Sequence, residues 1–148
     1  MPKCRDVMTP NPVCCSSGDT IERVAQLMKI QDVGSIPVVD HHNAKQVVGI
    51  VTDRDLVLNV IATGRNTQNS ITSAMTSHPV ACYEDDDVND VLQVMSAHQV
   101  RRVPVLNAND EIVGIIAQAD IATRINEPVK TAEVVEAISQ PDNGIALS

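Results

Sequence analysis

Phenylalanine and tryptophan are absent, and Tyr83 is the only aromatic residue. Any core must therefore be aliphatic, filled by Val, Ile, Leu, Ala and Met. Basic residues are also scarce: 11 Lys and Arg stand against 19 Asp and Glu, a net charge of -8. Such a surface cannot neutralise a phosphate backbone, which argues against a nucleic-acid partner. A small anion held by a local basic cluster remains compatible with it. No apolar run approaches the roughly 20 residues that span a bilayer, so no membrane partner is expected. Met1-Pro2-Lys3-Cys4 passes directly into Arg5-Asp6, without the apolar centre of a signal peptide. The four cysteines, Cys4, Cys14, Cys15 and Cys82, contain no CxxC pair. A reducing, cytoplasmic setting fits them best. His41, His42, His78 and His98 share no metal-ligand spacing with these cysteines, so no metal site is expected. There is no nucleophile–base–acid set, no P-loop and no GxGxxG. An enzyme is not expected.

What the chain does contain is a repeat. Met8-Thr9 recurs as Met75-Thr76, Pro12-Val13 as Pro79-Val80 and Cys15 as Cys82. At the same shift of 67, Val24, Met28 and Val33 match Val91, Met95 and Val100, and Pro37-Val38 matches Pro104-Val105. The shift then drops to 65, so that Gly49-Ile50 matches Gly114-Ile115 and Asp55 matches Asp120. The length change falls between "VDHHNAKQVV" and "LNANDEIV", where a hairpin turn would absorb it.

Each copy predicts β-α-β-β-α. A short strand over Val13–Cys15 or Val80–Cys82 leads through a polar turn into an amphipathic helix. Ile21, Val24, Ala25 and Met28 face one way in the first copy, and Val88, Val91, Leu92 and Met95 in the second. Ile36–Val39 and Val47–Val51 read as a hairpin, and a second helix starts at Thr52 or near Ala117. Residues 1–70 form the first repeat with its linker over 62–70, residues 71–126 the second, and residues 127–148 a C-terminal amphipathic helix and tail. Neither copy is large enough to bury a sufficient core alone. The fold class expected is α/β, with two three-stranded sheets packed about a pseudo-two-fold axis.

The ordered set "VMTPNPV"/"AMTSHPV", "HQVRRVPVLN" and G-h-h-x-x-x-D, written twice, resembles a tandem pair of CBS (cystathionine beta-synthase) domains, a Bateman module. The resemblance covers residues 6 to about 125 and is nearest to small stand-alone bacterial proteins of the hypoxic-response type. It implies an adenine nucleotide bound in clefts between the repeats: AMP foremost, with ADP, ATP, NAD or S-adenosylmethionine as alternatives. It also implies that a Thr three residues before an Asp contacts phosphate or ribose while the Asp takes the ribose hydroxyls. That division is chemically sound, since a carboxylate offers two oxygens to vicinal hydroxyls.

Carried onto this chain, the resemblance assigns Thr52, Asp55 and Asp120 to the nucleotide. Arg54, Arg101 and Arg102 are candidate phosphate clamps. The adenine-cage positions are Val33, Ile36 and Pro37, then Val100, Val103 and Pro104. Each has a plainer reading. Thr52-x-x-Asp55 is also a capping box, Arg101 and Arg102 read equally as a solvated pair balancing Glu84–Asp87, and the apolar residues suit a core. Ala117 replaces Thr52 in the second copy, which predicts one strong site at Asp55 and a weaker one at Asp120. Two rival functions stand beside nucleotide sensing. One is a dimeric interaction module with vestigial sites; the other is a thiol redox sensor using Cys14, Cys15 or Cys4. Apolar positions around Leu56–Ile61 and Ile121–Ile125 predict a homodimer. The stripe Val134, Val135 and Ile138 would be hosted by the same chain, a second subunit or a protein partner.

Overall fold

The structure, a computed structural model, describes residues 2–124. The C-terminal helix expected over 127–148 lies outside the described residues. Two compact units are present, and they are not coextensive with the sequence repeats. One is Pro12–Pro79; the described part of the other joins residues 2–11 to residues 80–124.

In the first of these units, β2 (Cys15–Ser16) precedes helix α2 (Ile21–Gln31) and the hairpin β3 (Ser35–Val39) and β4 (Val47–Thr52). Thr20 starts α2 by accepting the Arg23 backbone N–H at 3.1 Å. Ile21, Val24 and Met28 bury one face. Ala25, placed on that face by the sequence pattern, is exposed. Asp32 ends the helix in the left-handed region, φ 53°. Strand β2 pairs parallel with β3, and β3 pairs antiparallel with β4.

The other unit repeats this pattern. Its strands are β6 (Cys82–Tyr83), β7 (Arg102–Leu106) and β8 (Ile112–Ala117), with α4 (Val88–His98) after β6. Asp87 caps α4, while Val88, Val91, Leu92 and Met95 are buried and Gln99 takes the left-handed end at φ 53°. The first strands begin later than expected, at Cys15 and Cys82, because ladder pairing starts only where the chain runs beside Val38 and Val105.

Each sheet has four strands rather than three. The fourth is the short Met-Thr segment that the sequence places at the head of the opposite repeat. Strand β1 (Thr9–Pro10) follows the short helix α1 (Cys4–Val7) and pairs antiparallel with β8. Strand β5 (Thr76–Ser77) pairs antiparallel with β4. The orders are β2-β3-β4-β5 and β1-β8-β7-β6. Asn11 and His78, equivalent residues at φ 50° and 51°, end the two added strands. Their N–H groups donate to Val113 and Val48 carbonyls at 3.1 and 3.2 Å.

This exchange explains the repeated glycines. A Cβ on Gly49 would collide with the Met75 sulfur and stand 2.9 Å from the Thr76 carbonyl oxygen. On Gly114 it would collide with the Met8 sulfur and stand 3.0 Å from the Thr9 carbonyl oxygen. Glycine is required for close approach of the added strand.

Residues 62–70 do more than connect. Asn69 and Thr67 carbonyls accept the N–H groups of Ile21 and Glu22, at 3.0 and 2.9 Å, and so serve the open first turn of α2. In the other unit Pro2 supplies the corresponding carbonyl to Val88, at 3.1 Å.

Candidate functional site

Thr52 is the last residue of β4 and the N-cap of α3 (Asp53–Leu56). Its hydroxyl accepts the Asp55 N–H at 3.1 Å, and Asp55 Oδ2 accepts the Thr52 N–H at 3.0 Å. The capping box is therefore formed in both directions. Both residues are half-buried and Arg54 is exposed. Asp53, which the sequence reading passed over, donates its N–H to the Gly34 carbonyl at 2.9 Å. Its carboxylate lies over Gly34, 3.2 Å from where a Cβ would stand. The signal for it was an acid directly after the strand-ending threonine, with a glycine at the paired strand's start. Strand register places Ser35 opposite Thr52 and Ile36 opposite Val51. Val33, Gly34, Thr52, Asp53 and Asp55 thus gather at one end of the β3–β4 hairpin.

The corresponding end of β7–β8 carries Val100, Arg101, Arg102 and Asp120. The Gln118 N–H donates to the Arg101 carbonyl at 2.9 Å, and Arg102 stands opposite Ala117. Asp120 falls in the first turn of α5 (Gln118–Arg124) and is half-buried. Among the described residues no reciprocal cap forms there, since alanine has no hydroxyl to offer. The two ends differ in charge: Asp53, Arg54 and Asp55 at one, Arg101, Arg102 and Asp120 at the other. Ile36 and Val103 are fully buried in their cores, and Pro37 and Pro104 are buried too. Any ligand contact from these four would have to come through backbone. Val33 is exposed and Val100 half-buried, so their side chains remain available.

The cysteines are free thiols. Burial raises the Cys14 thiol above its ordinary range. Cys15 is pushed up to about 12, by burial first and then by Asp19 and Cys14. Thiols held protonated are poor nucleophiles, which counts against a fast redox sensor built on this pair. Among the described residues no cluster of His, Cys, Asp and Glu could hold a metal ion, and no helix is long and apolar enough to cross a membrane.

These features define a tandem α/β repeat whose strand-to-helix corners carry the polar side chains. The CBS domain family model matches residues 4–62 and 70–127. The chain belongs to the CBS domain family. It is 33% identical over 143 residues to hypoxic response protein 1 of Mycobacterium tuberculosis, covering 95% of this chain and 96% of that one. A CBS domain protein from Pyrobaculum aerophilum, PAE2072, solved in complex with AMP, superposes with a TM-score of 0.78 at 25% identity. The match covers 90% of this chain and 98% of that one. The CBS domain pair of protein MJ0100, solved with 5-methylthioadenosine and S-adenosyl-L-methionine, gives a TM-score of 0.73 at 26% identity, covering 83% and 94%.

Proposed function

We propose that this protein is an adenine-nucleotide-responsive regulatory module, with AMP as the foremost ligand. The observation that carries the proposal is the duplicated strand-to-helix corner. Each copy sets an acid at the third helical position, Asp55 and Asp120, directly after the last strand of its hairpin. Relatives of the same fold solved with AMP or S-adenosyl-L-methionine support the ligand class. In this reading Asp55 accepts the ribose hydroxyls, Thr52 contacts ribose or phosphate, and Arg54, Arg101 and Arg102 supply positive charge. Asp53 adds a second carboxylate near Gly34, which suits hydroxyl or amino groups at that point.

The test is a melting series of the purified chain with AMP, ADP, ATP, NAD and S-adenosylmethionine. A ligand at a hundredfold excess over its Kd stabilises the native state by roughly 2.7 kcal/mol. A rise of several degrees with at least one of them is expected, and no rise with any would overturn the reading. A second reading draws on the capping box. Thr52 and Asp55 already satisfy each other, as they would in an interaction module whose sites are vestigial. That reading predicts a flat melting series.

The module is further proposed to act as a homodimer in the cytoplasm. After α3 the chain continues into a π-helical turn, Val57–Ile61. Val57, Leu58 and Ile61 on it are 51%, 47% and 73% exposed. A two-fold pairing would cover the same patch on both chains. Sedimentation at micromolar concentration should give a dimer, and Leu58→Glu with Ile61→Glu should give a monomer. A monomeric wild type would contradict the proposal.

A further inference from the structure

Cys4 and Cys82 lie apart from the candidate site and share one core. Cys4 is fully buried and Cys82 is 3% exposed. Both belong to the aliphatic cluster that contains Val88, Val91 and Val105. The backbone brings them together. The Cys4 N–H donates to the Asp86 carbonyl at 2.9 Å and the Arg5 N–H to the Glu84 carbonyl at 3.0 Å. These bonds lay α1 against the turn that follows Cys82. The Cys82 thiol donates to the Pro104 carbonyl at 3.8 Å, and Cys4 is the foremost influence raising that thiol above its ordinary range.

The other unit shows that packing alone does not call for a thiol here. There Ile71 takes the place of Cys4: its N–H donates to the Asp19 carbonyl at 2.9 Å, the same bond displaced by 67 residues. Ile71 and Cys15 share that unit's core. A thiol beside an isoleucine fills the equivalent space.

We propose that Cys4 and Cys82 form an intramolecular disulfide under sustained exposure to a hydroperoxide, tying the N-terminal segment to the sheet it completes. One cysteine attacks the O–O bond as thiolate, becomes a sulfenic acid and releases the alcohol, or water when the oxidant is hydrogen peroxide. The second sulfur then displaces the sulfenic hydroxyl as water. The two sulfurs lose two electrons to the O–O bond, and the two thiol hydrogens end in the released alcohol and water. Cys4 and burial together keep the Cys82 thiol protonated. Reaction therefore waits on local opening of α1 and is slow beside that of an exposed thiol. Once formed, the bond closes a loop of roughly 80 residues, a length at which cross-linking restricts the unfolded chain strongly.

The test uses the full chain and hydrogen peroxide. After alkylation of remaining thiols and peptic digestion at acid pH, mass spectrometry should find the Cys4 and Cys82 peptides joined. The oxidised protein should melt on the order of 10 °C higher, and dithiothreitol should reverse both changes. Cys4→Val, which imitates the aliphatic residue of the other unit, should abolish the rise, as should Cys82→Ala. Should both variants fail to fold, the peptide map of the wild type still decides. Links confined to Cys14 or Cys15, links only between molecules, or Cys4 and Cys82 recovered as thiols while Cys14 is oxidised would each overturn the proposal.

Discussion

Deleting residues 2–11 should lower the melting temperature by more than roughly 10 °C or leave the unit containing residues 80–124 unfolded. The segment lies outside the second sequence repeat yet completes its sheet. It buries Cys4 and Val7 fully, packs Met8 against the same core, and pairs Thr9 and Pro10 with Ile115 and Gly114. Burial of one Val or Met side chain contributes roughly 1.5 to 3 kcal/mol. The ladder bonds add about 0.5 to 1.5 kcal/mol each. The total is on the order of 5 kcal/mol, comparable with the whole stability of many domains. Gly114→Ala offers a milder version, because it keeps the segment and obstructs its seat. Overpacking of that kind costs about 1 to 3 kcal/mol. It must outweigh the usual gain of roughly 0.4 to 1 kcal/mol when glycine is replaced in ordinary backbone. Differential scanning calorimetry reads both variants. A deletion variant melting within a few degrees of the full chain would show that the exchanged strand contributes little.

Asp55→Ala should remove most nucleotide binding, whereas Asp120→Ala should leave most of it. On the proposed reading Asp55 provides charge-assisted bonds to the ribose, each worth roughly 1.5 to 3 kcal/mol. Losing one weakens binding about tenfold or more. The same substitution breaks the bond from the Thr52 N–H, so the variant should also melt lower without ligand. Two companions separate these effects. Asp55→Asn retains an oxygen that can accept the Thr52 N–H but loses the charge, so its ligand-free melting should stay nearer the wild type while affinity still falls. Thr52→Ala removes the N-cap, at a cost of roughly 1 kcal/mol, and should weaken binding less than Asp55→Ala. Isothermal titration with AMP provides the affinities. Equal losses from Asp55→Ala and Asp120→Ala, or loss only with Asp120→Ala, would reverse the assignment of the two corners.

Much of this architecture was legible in the residues themselves. The shift of 67 and then 65, the apolar spacing of Val88, Val91, Leu92 and Met95, and the Thr52-x-x-Asp55 pattern specify elements through local periodicity and capping. Those depend only on neighbours a few residues away. Ala25 shows the margin of that reasoning: it sits on the edge of the helical stripe, and only packing decided that it faces water.

The pairing of Met8-Thr9 with Gly114 and of Met75-Thr76 with Gly49 could not be read from the same pattern. Both phrases are visible as repeats, but a repeat says which residues are equivalent, not which copy they join. The cross-pairing was decided by the tertiary structure, because each sheet's outer edge is completed by strand hydrogen bonds from sequence-distant residues and by a methionine packed where a Cβ is missing. The same holds for Cys4 and Cys82. Nothing in their spacing of 78 residues relates them; folding the N-terminal segment onto the second sheet does.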